Sequence, residues 1–187
     1  MVDVEIRALS GQVAGGSWGT CEPSMVGMAA EQPVTAIRRA TLSDADGVTR
    51  AWLRSRFAAA PAIPLPVHGD DEVRRWCAEI VLRDHRVWVA ETEGLTVVGL
   101  LVLRPRWIDQ LYVDPAWSGR GVGTTLLDVA KLYEDSLDLW TFQSNIGAQR
   151  FYNRHGFLEV MRTDGAGNEE RSPDIRYRWT SPNLIKA

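Results

Sequence analysis

Two periods of apolar residues alternate along this chain. Val34 to Arg38 reads as a short strand, and Thr41-Leu-Ser-Asp offers a helix cap before Ala45, Val48, Ala51 and Trp52 at helical spacing. The segment from Ala58 to Glu72 carries prolines at 61, 64 and 66 and a glycine at 69, which predicts an exposed loop. Asp70 and Asp71 open a second helix, with Val73, Trp76, Cys77, Ile80 and Val81 as its apolar face. Strands follow at Arg86–Glu91 and Leu95–Leu103, joined by Glu93-Gly94. A fourth strand, Trp107–Val113, ends at Asp114-Pro115. A glycine-rich segment then leads into a helix with Val122, Leu126, Val129 and Tyr133 on one side. Strand five is Leu137–Phe142, a short helix Ile146–His155 closes on Gly156, and Phe157–Thr163 and Asp174–Thr180 are the last strands. The order β-α-α-β-β-β-α-β-α-β-β predicts an α/β (α+β) fold: a mixed, mostly antiparallel sheet of about seven strands flanked by about four helices.

Residues 1–33 follow neither period. They hold glycines at 11, 15, 16, 19 and 27 and three of the four methionines, Met1, Met25 and Met28. They lack the continuous apolar core of a secretory signal, and Glu5 and Arg7 interrupt their start. A flexible N-terminal extension is expected there, with translation able to begin at Met25 or Met28. Residues 34–182 form the domain, and 183–187 a C-terminal tail.

Composition narrows the function. With 187 residues, 45% of them hydrophobic and 24% charged, the chain suits one globular domain and is not a disordered polymer. A net charge of −3 without any Lys/Arg-rich run argues against nucleic acid, and no apolar stretch approaches the ~20 residues that span a bilayer. A cytoplasmic protein is expected. Cys21 and Cys77 give no disulfide framework and no metal-ligand spacing, and Cys77 sits on an apolar helix face as core filling. No metal is expected.

The chemistry begins at Asp114-Pro-Ala-Trp-Ser-Gly-Arg-Gly-Val-Gly-Thr-Thr, which joins a strand to a helix. Gly119, Gly121 and Gly123 let a backbone approach a ligand closely, free N–H groups at the helix start suit an anion, and Arg120 adds a charge for phosphate. The spacing fits neither a Walker loop, which needs Gly-Lys-Ser/Thr, nor the dinucleotide fingerprint, whose third glycine comes one residue later. It resembles instead the pyrophosphate loop of the GNAT-type N-acetyltransferase superfamily, R/Q-x-x-G-x-G/A, with Ser118 where that family has Arg or Gln. A second block, Asn145-Ile-Gly-Ala-Gln-Arg-Phe-Tyr-Asn-Arg-His-Gly-Phe, is similar to the family's N-x-x-A-x-x-F-Y-x-x-x-G-F segment at every fixed position. The resemblance spans roughly residues 34–180 and implies the acyl-CoA N-acyltransferase fold.

The resemblance implies acetyl-CoA as co-substrate. It would be held by Leu111, Tyr112 and Val113 on strand four, by Ser118, Gly119, Arg120, Gly121, Val122, Gly123 and Thr124 in the turn, and by Asn145, Ala148 and Tyr152. The N–H of Val113 would face the thioester oxygen, the pantetheine arm would lie along Leu111–Val113 like an added strand, and Asn145 would hydrogen-bond that arm. Tyr152 is either the acid that protonates the departing thiolate or a packing ring against the cofactor; Phe151 reads as core. Asp109, two residues before Leu111 and expected on the same strand face, is either the general base, its carboxyl raised by apolar neighbours, or a solvated acid. Glu91, Glu169, Glu170 and Asp174 are weaker alternatives, any of which would bind a cationic acceptor. His68 lies in the proline-rich loop, whereas His85 and His155 read as capping or surface residues. No nucleophile elbow or triad is present.

The expected reaction is direct transfer of an acetyl group from acetyl-CoA to a primary amine, with a small molecule as acceptor. The alternatives are a protein N-terminus or lysine as acceptor, or a catalytically poor acyl-CoA-binding sensor. Acceptor contacts are expected from Ala58–Asp71, from Trp107–Asp109 and from the final hairpin. Trp107 and Trp117 are either stacking partners for a ligand or packing residues. A homodimer is an assembly the resemblance allows.

Overall fold

The structure, a computed structural model, describes residues 6–7 and 34–182. Its main elements are β1 (Val34–Arg39), α1 (Ala45–Ala58), α2 (Asp70–Trp76), β2 (Arg86–Thr92), β3 (Val97–Arg104), β4 (Trp107–Val113), α3 (Val122–Tyr133), β5 (Ser136–Phe142), α4 (Ile146–Arg154), β6 (Leu158–Thr163) and β7 (Asp174–Thr180). This is the order the apolar periods predict. The strands form one sheet in the order β1-β2-β3-β4-β5-β7-β6, and the two-residue strand Ile6–Arg7 adds to the outer edge of β1. Ile6 stands opposite Ile37, so at this point the N-terminal extension is strand, contrary to the patternless expectation. The rest of residues 1–33, with the alternative start methionines, lies outside the described residues, as does the tail 183–187.

Helices cover both faces of the sheet, and that explains why β3 reads as an unbroken apolar run. Leu101 and Leu103 face Leu126, Leu127 and Ala130 of α3. Leu100 and Val102 face Val48, Ala51 and Trp52 of α1 and Val73, Cys77 and Val81 of the second helical segment. Cys77 is buried in this second cluster, where burial pushes its thiol pKa up, as core filling requires. Gly99 permits α3 to come close, since a Cβ there would lie 2.9 Å from Val122 Cγ1.

Three local features depart from simple periodicity. The second helix passes from α2 into a π-helical turn, Cys77–Val81, before a last α turn, Leu82–Asp84. The wider turn sends Ile80 to solvent while Cys77 and Val81 stay buried, so Ile80 is not on the apolar face. Leu95 belongs to the β2–β3 turn rather than to a strand: its φ is 56°, and its N–H donates to Thr92 O at 2.9 Å. In the β3–β4 ladder Val102 pairs with Gln110 and Leu103 with Ile108, which leaves Asp109 as the extra residue of a bulge.

Candidate active site

All neighbouring strands are antiparallel except β4 and β5, and these two meet at one paired position, Trp107 opposite Asp138. Beyond it they diverge. A cavity of about 860 Å³ opens between them, walled by Asp109–Val113 on one side and Leu139–Phe142 on the other. The β3–β4 ladder sets which main-chain groups of β4 face this gap. Asp114 donates its N–H to Val98 O at 2.8 Å, and antiparallel alternation then directs the N–H groups of Leu111 and Val113 away from β3, toward β5. The carbonyl of Val113 points the same way and accepts a hydrogen bond from Ser55 Oγ at 3.0 Å.

The glycine turn closes one end of the cavity. Its start is fixed by Asp114, a buried carboxylate that accepts from Ala116 N–H at 3.0 Å and pairs with Arg54 at 3.0 Å. Gly119 and Gly121 take φ values of 77° and 84°, the left-handed region that favours glycine. A Cβ at either would meet nothing within 4 Å and would project into open space. Gly121 caps α3, whose first i to i−4 bond runs from Thr125 N–H to Gly121 O at 3.0 Å. The amides of Val122, Gly123 and Thr124 therefore precede the helical ladder at the positive end of the helix dipole.

Most of the residues expected at the site come together. Leu111, Tyr112, Val113, Ser118, Gly119, Gly121, Gly123, Thr124, Asn145, Ala148 and Tyr152 all line the cavity. Two of the set do not. Val122 is buried in the core against Gly99, so it offers its backbone and not its side chain. The Arg120 guanidinium lies 5.2 Å from the centre of the Trp117 ring and is absent from the lining. Asn145 faces the cavity while its Oδ1 accepts from Ala148 N–H at 3.0 Å, capping α4. Tyr152 is 7% exposed, packed against Phe151 at 5.2 Å and Phe157 at 5.4 Å. Burial holds its phenol well above the ordinary value, in the proton-bearing form at neutral pH. Phe151 packs against the core as read but also lines the cavity.

The acid and aromatic candidates divide. Asp109 lines the cavity and pairs with Arg104 at 2.5 Å. The bulge breaks the strand alternation that would place it with Leu111, and a cation rather than an apolar surround is its nearest partner. Glu91 is excluded from the cavity, buried in β2 and paired with Arg38 at 2.7 Å. Glu170 pairs with Arg56 at 2.8 Å, Glu169 lies 3.3 Å from His68, and Asp174 accepts from Asn168 at 3.0 Å. Trp107 is covered by the Arg176 guanidinium at 5.0 Å and packs, whereas Trp117 borders the cavity.

Several participants escaped sequence reading. His155 is more than a cap: it lines the cavity, with Nδ1 3.1 Å from Phe151 O and Nε2 3.1 Å from Thr124 Oγ1. Burial and then Lys131 lower its pKa, which favours the neutral imidazole. Trp140, 42% exposed, is an aromatic wall on β5. Ser55 and Arg56 on α1 are buried polar residues beside β4. Their signal was weak, because a polar residue in the last turn of a helix ordinarily faces water.

Comparison with known proteins agrees with this geometry. Residues 83–159 match the family model for the acetyltransferase (GNAT) domain. The peptidyl-lysine N-acetyltransferase YjaB of Escherichia coli K12 is 29% identical over 133 residues, covering 70% of this chain and 87% of that protein. The solution structure of apo-YjaB from Escherichia coli superposes with a TM-score of 0.64 at 25% identity, covering 78% of this chain and 97% of the other. The structure of yncA from Salmonella typhimurium, solved with acetyl-CoA, shares the fold at a TM-score of 0.58 and 20% identity, covering 77% and 92%. The fold and the cleft define an acyl-CoA N-acyltransferase architecture. The family model, the curated relatives and the structural neighbours together support the GNAT superfamily of N-acetyltransferases for this chain.

Proposed function

We propose that the protein transfers the acetyl group of acetyl-CoA directly to a primary amine bound in the same cleft. The observation that carries this reading is the divergence of β4 from β5 beside a left-handed glycine turn. Together they supply outward-facing N–H groups for a pantetheine arm and a helix start for a pyrophosphate. Ser118 lacks the charge the family usually has there, so the pyrophosphate is held chiefly by the amides around Gly121 and Gly123.

In the reaction the amine nitrogen attacks the thioester carbon, an N–C bond forms, and the C–S bond breaks as the oxyanion collapses. The N–H of Val113 is assigned to the oxyanion; a fixed donor of this kind is worth roughly 3 kcal/mol in the transition state. Tyr152, kept protonated by burial, is assigned as the donor to the departing thiolate. An alkylammonium has a pKa near ~10 and must first lose a proton. Among the described residues Asp109 is the one carboxylate lining the cavity; it is held in place by Arg104 and is assigned as the base, directly or through water.

The lysine ε-amine is the first acceptor class, supported by a relative named as a peptidyl-lysine N-acetyltransferase, 29% identical over 133 residues. A small free amine is the second reading, favoured by Ala58, Ala59 and Ile63, which wall the cavity beside the strand that carries Asp109. Thiol release from acetyl-CoA, followed with a blocked lysine peptide and with a panel of small amines, tests both. Acetylated peptide detected by mass spectrometry is expected. Turnover confined to free amines moves the acceptor to the second reading, and tight CoA binding without turnover on any amine refutes acetyl transfer.

A further inference from the structure

Arg56 stands out among the side chains that the proposed chemistry leaves unused. It lies in the last turn of α1 and is 5% exposed, an uncommon position for a guanidinium. One Nη donates to Tyr112 Oη at 3.4 Å; the other donates to Pro64 O at 3.2 Å and to Glu170 Oε1 at 2.8 Å. The plane sits 5.2 Å from the Trp52 ring and 5.9 Å from Phe142, and its Nε is buried without a hydrogen-bond partner among the described residues. One residue thus joins α1, the proline-rich loop, β4, the end of β5 and the β6–β7 loop. Its immediate neighbours Ser55, Tyr112 and Phe142 line the cavity, while none of its partners belongs to the glycine turn.

A buried ion pair is seldom worth more than an apolar pair of the same size, and an unsatisfied N–H adds cost. Stability alone does not account for this arrangement. A second link ties the same two loops at the surface: His68 Nε2 lies 3.3 Å from Glu169 Oε2, one residue before Glu170. We infer that Arg56 and Glu170 are positioning residues that latch the β6–β7 loop and the proline-rich loop together, setting the acceptor side of the cleft and leaving the glycine turn untouched. The kinetic part of this inference rests on the acetyl-transfer reading; the latch itself does not.

The test uses Glu170→Ala and the volume-keeping double variant Arg56→Met/Glu170→Met, each in the full chain. Hydrogen exchange reads the latch without any acceptor. Faster exchange is expected in residues 59–69 and 164–172 with no change in 118–133, and unchanged exchange in the proline-rich loop would overturn it. With the blocked lysine peptide, or with whichever small amine the wild type acetylates, KM for the acceptor is expected to rise about tenfold. KM for acetyl-CoA should stay within about twofold. Equal shifts in both KM values, or none, would reject the positioning role. The double variant is expected to regain the Tm lost in Glu170→Ala while keeping the raised acceptor KM; recovery of KM along with Tm would reduce the pair to a structural one. Wild type that turns over no amine bears on acetyl transfer alone, because the exchange result stands apart from it.

Discussion

Tyr152 shows how one residue acquires a role from its surroundings. A phenol with an ordinary pKa is already a weak acid, and burial among Phe151, Phe157 and Tyr177 raises it further. It therefore carries its proton throughout the neutral range and can give it to a thiolate that forms beside it. Tyr152→Phe keeps the ring packing and removes only the hydroxyl. We expect kcat to fall about 100-fold, within the range for general acid catalysis, with CoA affinity unchanged by calorimetry. An unchanged kcat would leave Tyr152 as a packing ring. Asp109 shows the opposite case. Its identity was legible from its place before Leu111, but its orientation was not, because the bulge arises from the pairing of β4 with β3 and not from anything local to Trp107–Val113.

At the scale of elements, the start of α1 carries a pronounced electrostatic signature outside the cleft. Asp44 accepts from Thr41 N–H at 2.7 Å and takes both Nη groups of Arg38, at 2.9 and 2.8 Å, tying the helix entry to β1. The Arg38 guanidinium holds the Asp44 carboxyl down at about 2, from an ordinary 3.8. A carboxyl depressed by folding stabilises the fold above its unfolded pKa, and this contribution fades as pH falls toward about 2. Allowing for the partial exposure of Arg38, Asp44→Asn should cost about 1 kcal/mol at pH 7. The gap to wild type in urea melts should narrow steadily as pH falls from about 5 through about 2. A gap that stayed constant with pH would show that the lost energy is not this ion pair.

Elements of this kind were legible because their determinants are local: helical spacing from Val48 to Trp52, the Thr41 cap, the glycines of the turn and the Asn145 block. The π-helical turn at Cys77–Val81 was not, since the periodic face of Val73, Trp76, Cys77 and Ile80 suits an ordinary helix equally well. Nor was the arginine latch. Arg56 and Glu170 lie 114 residues apart, and Glu170 alone reads as a weak candidate for a cationic acceptor, with nothing local to pair it with Arg56.

At the scale of the molecule, function follows from one topological event: two parallel neighbours in an otherwise antiparallel sheet that part after one paired position. The divergence exposes the main chain of β4 from Asp109 to Val113. It also brings the glycine turn to one end of the gap and the loops held by Arg56 to the other. The measurement that tests this most directly is an amide NMR titration of the wild type and of Gly121→Val with CoA. Shifts are expected at Leu111, Val113, Gly121 and Gly123 in the wild type. The variant should lose at least tenfold in affinity, because a branched side chain at φ 84° would stand where the pyrophosphate must approach. CoA shifts that fall outside the β4–β5 cleft, or equal affinity in the variant, would contradict it.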